Sequence, residues 1–166
     1  MKKSVLLLIA VATLIQSLTA QKEQVVGKLF YAELGGPGLI MSANFDARFN
    51  SNARLGFGYR TGAGFGFYKN IFQPYLSVPA GLNYVFGKPN SAHAFEVGAG
   101  VTFFTRKQLL FCLDEKKEGH AIGFLTFMYR MAPVNGGFSF RTGLTPIIGT
   151  AGEMAPMGTI GFGYAF

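Results

Sequence analysis

Few residues in this chain could do bond-making chemistry, and they are scattered. There are two histidines, His93 and His120, and one cysteine, Cys112. A metal site needs several donors at close spacing, and an activated nucleophile needs a base within reach. Ala92-His93-Ala94 supplies neither, and His120 has only Glu118 nearby as an acid–base partner. Cys112 belongs to no CxxC pair and has no internal disulfide partner, so a structural thiol is expected. The series Gly62-x-Gly64-x-Gly66 has the spacing of a nucleotide loop, but it continues a strand pattern instead of joining a strand to a helix. No catalytic, metal-binding or cofactor-binding residue is therefore expected.

A second group of residues has a different chemistry. Asp46, Arg48, Arg60, Glu96, Arg130 and Arg141 all fall on the polar side of alternating segments. Arginine can bridge two carboxylates, and a charge held in a narrow interior must be paired. These six residues are expected to form an internal salt-bridge plug, with a charged pore or substrate site as the rival reading.

The elements that must position these side chains are strands. From residue 26 onward apolar and polar or small residues alternate with period two, cut by turn residues. Eight segments are expected, at about 26–35, 39–49, 54–68, 73–86, 92–106, 119–132, 138–149 and 156–166. In the third, Leu55, Phe57, Tyr59, Thr61, Ala63, Phe65 and Phe67 alternate with Arg54, Gly56, Gly58, Arg60, Gly62, Gly64 and Gly66. Soluble strands average about five to six residues, whereas a tilted membrane strand needs about 9–11. Most of these segments have the longer span.

Composition agrees with strands. Hydrophobic residues make up 49% and charged residues 14%, with 23 Gly, 18 Phe and no Trp. The chain is too apolar for disorder, and so many glycines are unfavourable in helices. The net charge of +7 includes Lys2 and Lys3; without them thirteen basic residues face eight acidic ones. The basic residues are scattered singly, so no nucleic-acid partner is expected.

Lys2 and Lys3, the apolar run 5–15 and the short end at 16–20 make the three-part pattern of a cleavable signal peptide, residues 1–20, with cleavage after Ala20. Residues 21–166 then form one domain. No later apolar stretch is long enough for a membrane helix, so this domain can enter a bilayer only as a closed barrel. The expected fold is all-β: an eight-stranded antiparallel up-and-down transmembrane β-barrel. The Gly- and charge-bearing face suits a narrow lumen, and the Phe-rich face suits lipid. A secreted, soluble lipocalin-like barrel with the faces reversed is the alternative.

The turns at 50–52, 87–91 and 133–137 are short and are expected on the periplasmic side, together with both ends of the mature chain. The connections at Gly36, 68–73, 107–118 and 150–155 are expected outside the cell.

The end of the chain carries a resemblance. Ile160, Phe162, Tyr164 and terminal Phe166 resemble the C-terminal assembly signal of bacterial outer-membrane proteins. With the YAELGGPG stretch at 31–38 and the Gly-aromatic strands, the chain resembles the outer-membrane β-barrel domain proteins common in Bacteroidetes, relatives in shape of small OmpA- and OmpX-like barrels. That resemblance implies the outer membrane, lipid as surroundings and the barrel-assembly machinery as a partner during insertion. It implies a non-enzymatic role in envelope structure, surface interaction or envelope assembly. Lipid A deacylases of similar shape carry a His-x-Ser pair and a Glu. Here His93-Ala94-Phe95 and His120-Ala121-Ile122 lack the serine, which leaves a lipid A-modifying enzyme as an alternative only.

Overall fold

The computed structural model describes residues 26–67, 74–108, 119–149 and 152–166, with the side chains of 106–108 and 119 left out. The expected leader at 1–20, the connections at 68–73 and 109–118, and Cys112 and Glu118 lie outside the described residues.

The described chain is all-β. Its strands are β1 (Lys28–Gly35), β2 (Met41–Arg48), β3 (Gly56–Phe67), β4 (Pro74–Gly87), β5 (His93–Gln108), β6 (Gly119–Met131), β7 (Gly137–Leu144), β8 (Ile147–Ile148), β9 (Met154–Ala155) and β10 (Gly158–Ala165). Consecutive long strands pair antiparallel from β1 to β7, β7 pairs with β10, and β10 pairs with β1. Eight long strands therefore close on themselves. The seam is tight to its last residue: the Lys28 and Phe166 main chains exchange hydrogen bonds of 3.2 and 3.0 Å.

The period-two pattern persists around the ring. Phe30, Leu34, Phe57, Leu82, Phe95, Phe127 and Phe162 are exposed on the outer surface, while their neighbours in sequence point inward. The reversed arrangement, which a lipocalin-like barrel requires, is not the one observed.

Two elements differ from the sequence expectation. The segment 138–149 is not one strand but two: Thr145 and Pro146 interrupt it, and β8 resumes pairing with β6 at Phe124↔Ile147. Proline has no N–H to give to a ladder, although its carbonyl still accepts from Leu125 N at 2.9 Å. β9, just before the eighth expected segment, folds back on β8.

The connection at Gly36 turns into the barrel at the end opposite the short turns. Gly36–Gly38 form a buried 3-10 turn that lies against β1, β2, β3, β4, β5 and β10. Gly35, Gly36 and Leu39 carry φ values of 72°, 68° and 70°, in the left-handed region that favours glycine.

Candidate functional site

The lumen concentrates the polar chemistry of the molecule. Glycines alternate with large side chains on the inner wall, and strand register decides which glycine meets which side chain. Arg48 pairs with Gly58, Arg141 with Gly161, Tyr31 with Gly163, Tyr75 with Gly66 and Phe124 with Gly100. A Cβ at Gly58 would fall on the Arg48 guanidinium, and one at Gly161 would lie 2.9 Å from Arg141 Cγ. The missing Cβ lets the partner side chain lie across the wall and reach the opposite strands.

From the short-turn end toward the Gly36 turn these long side chains join in a chain of alternating charge. Arg48 Nη2 lies 2.7 Å from Asp46, and Arg130 Nη1 lies 2.9 Å from Asp46 and 3.4 Å from Glu96. Arg141 continues from Glu96, at 2.8 Å, to Glu33, at 3.5 Å, and Arg60 closes the row on Glu33 at 3.0 Å. Asn83 donates to Asp46 and Glu96 and accepts from Arg48 Nη2 at 2.7 Å. Each of the three carboxylates thus lies between two guanidiniums. The cationic faces are covered by rings: the Arg141 Cζ stands 4.4 Å from the Tyr31 centroid, and Arg60 stands 5.6 Å from Tyr31 and 5.8 Å from Phe124. Together these contacts desolvate the charges while keeping opposite signs adjacent.

All six charged residues singled out from the sequence are buried in this row. Glu33 and Asn83 belong to it as well. Strand parity places both on the inner face, and the charge count carried the signal for Glu33: four arginines against two carboxylates leave cations unpaired.

With this geometry in hand, comparison with known proteins gives one solved structure. The chain is similar to the N-terminal β-barrel domain of Pseudomonas aeruginosa OprF. The match has a TM-score of 0.57 at 13% identity and covers 88% of this chain and 100% of that one. At that identity it is a likeness of fold. No family model matches the chain, and no curated protein matches it.

The rest of the lumen is not ionic, a departure from an interior expected to be lined by glycine and charge. At the end opposite the short turns, Leu39, Tyr75, Phe104, Ile122, Phe124 and Ile147 form a buried apolar cluster. A second cluster, Val26, Leu29, Tyr31, Ala132 and Ala165, lies by the chain ends. The sixth segment carried the signal, since its inner-parity residues Ile122, Phe124 and Met128 make it apolar on both faces.

Arg54 fastens the short turns to one another. Its guanidinium donates to the Ala132 carbonyl at 3.3 Å and to the Ser91 carbonyl, joining three turns that are far apart in sequence.

The remaining candidates sit elsewhere. His93 is on the outer surface beside Tyr129, with its Nδ1 in hydrogen-bond contact with the phenol oxygen, and it faces away from the lumen. His120 is exposed near the opposite end of the barrel. Ile160, Phe162, Tyr164 and Phe166 lie on the outer face of the closing strand.

Proposed function

We propose that this chain is a non-enzymatic outer-membrane β-barrel with a closed lumen, serving envelope structure, surface interaction or envelope assembly. The observation that carries the reading is the inversion of the faces. Large apolar side chains are exposed around the ring, whereas Asp46, Glu33, Glu96, Arg60 and Arg141 are buried inside it. Water-soluble proteins rarely expose an apolar surface of that extent, and lipid removes its cost. Closure of the sheet satisfies the backbone, as a bilayer requires. The fold likeness to the OprF N-terminal barrel supports the same reading.

On this reading the first twenty residues are a leader removed on export, and the short turns and both ends of the mature chain lie in the periplasm. The Arg–carboxylate row plugs the lumen, and outer-membrane lipid covers the Phe-rich surface. The alternating end Ile160, Phe162, Tyr164 and Phe166 presents the assembly machinery with a strand edge before β10 closes on β1.

Fractionation tests the reading. The protein is expected in the outer membrane, resistant to carbonate extraction, and faster on a gel when unheated than when boiled. Recovery in the soluble fraction would overturn it. Large, stable conductance from the reconstituted protein would overturn the closed lumen.

A further inference from the structure

We propose that the inward turn at Gly36–Gly38 is a second seal of the lumen, closing the mouth opposite the Asp46–Arg48–Arg130 end of the ionic row, which stays closed without it. The inference rests on the reading of the chain as a closed membrane barrel.

The turn is fastened from across the barrel. Thr102 Oγ1, on β5, donates to the Pro37 carbonyl at 2.8 Å, and Ser77 Oγ, on β4, donates to the Gly38 carbonyl at 3.4 Å. At its base Gly35 N donates to the Ile40 carbonyl at 2.9 Å. The wall is cut back to receive it: a Cβ added at Gly64 would come within 3.3 Å of Gly38 Cα. The turn needs its own glycines too. A Cβ at Gly36 would lie 2.7 Å from Glu33 Oε1 and 2.9 Å from Thr159 Oγ1, at a φ that disfavours any side chain. A loop with no task inside the barrel would stand in solvent, where its carbonyls find water without anchors.

Along β2 the turn and the Asp46 end of the row are separate. Ser42 lies directly under the turn, since a Cβ at Gly38 would meet Ser42 Cβ at 2.6 Å. Asp46 and Arg48 lie at the other end of the same strand. Asn44 lies between them and donates to Ser42 rather than to the charged row. Of the ionic row, Glu33 reaches the turn: it pairs with Ser42 across β1 and β2, and its Oε1 lies beneath Gly36. Loosening the turn should therefore admit water and small solutes as far as Ser42 and Glu33 and leave the Asp46–Arg48–Arg130 contacts intact.

The test uses Ser42→Cys in a Cys112→Ser background, reconstituted in lipid vesicles and treated with a charged, membrane-impermeant thiol reagent. The anchors are then removed by Thr102→Val with Ser77→Ala. Thr102→Val alone is a milder second variant, and folding is checked by heat-modifiable migration. Losing the anchors is expected to raise the labelling rate at position 42 by roughly tenfold, as when hydrogen-bonded closure stops limiting access. Conductance should stay at the lipid baseline. An unchanged rate in both folded variants would overturn the proposal. So would labelling with the turn intact as fast as at an exposed surface cysteine. Conductance appearing only in the anchor variants would show that the Asp46 end does not close the lumen by itself and would also overturn it. Conductance in the parent protein would instead overturn the closed-barrel reading.

Discussion

Arg130 and Asp46 meet at 2.9 Å across the whole width of the barrel, although 84 residues separate them in sequence. They stand on β6 and β2, four strands apart in a ring of eight long strands. Arg48 reaches the same carboxylate from its own strand, and Asn83 reaches it from β4. Asp46 is thus the point through which opposite walls are joined.

Asp46→Ala should leave Arg48 and Arg130 without their shared counter-charge in a desolvated lumen. Loss of one partner of a buried pair costs about 3–5 kcal/mol. Urea unfolding of the protein in vesicles should show a loss of that size. Asp46→Ala with Arg130→Met should recover part of it, because one stranded cation is gone. If the single variant matches the parent, the row contributes nothing to stability.

Glycines at inward positions should not be interchangeable with those at the rim. A Cβ at Gly163 would fall on the Phe30 carbonyl and lie 2.7 Å from Tyr31 Cα, whereas a Cβ at Gly158 meets nothing within 4 Å. Gly163→Ala should destabilise the seam by about 1–3 kcal/mol, the usual cost of overpacking. Gly158→Ala should stay within about 0.5 kcal/mol of the parent. The comparison is read from paired unfolding curves, and equal effects would contradict the close packing at the seam.

A charge on the outer wall distinguishes lipid from water as its surroundings. Leu82 is 58% exposed there. Leu82→Arg should cost up to about 2–4 kcal/mol of folding free energy in vesicles, depending on its depth in the bilayer. On a water-facing surface the same change should be neutral or improve solubility. A neutral result in vesicles would count against the outward face as a lipid face.

The closing strand carries a prediction about assembly. Phe166 is exposed on the outer face, and its main chain bonds to Lys28 at the seam. Removing Phe166 should reduce the heat-modifiable form in cells several-fold. Refolding of the purified variant into vesicles from urea should fall much less. An equal loss in both assays would assign Phe166 to seam stability alone, without a part in recognition.

Much of the fold is legible from periodicity. The eight segments and the two faces follow from a side-chain period of two, which any strand must obey. Tyr31, Glu33 and Asn83 already share the inner parity with Asp46 and Arg60. The break at Thr145-Pro146 and the inward turn at Gly36–Gly38, which periodicity did not indicate, lie where proline and glycine end the regular pattern. There the local chain permits several paths.

The sequence by itself determined which residues would lie on each side of the wall, because alternation is a local property of an extended backbone. It also held the charge imbalance that called for a third inward carboxylate, Glu33. Only the tertiary structure decided the partners. Whether Arg48 lies over Gly58, whether Arg141 reaches Glu33 as well as Glu96, and whether the turn at Pro37 finds Thr102 all depend on strand register and ring closure. Those are relations between segments far apart in the chain. A shift of one residue would move each side chain to the other face, so register is set by the combined packing of the whole ring rather than by any single strand.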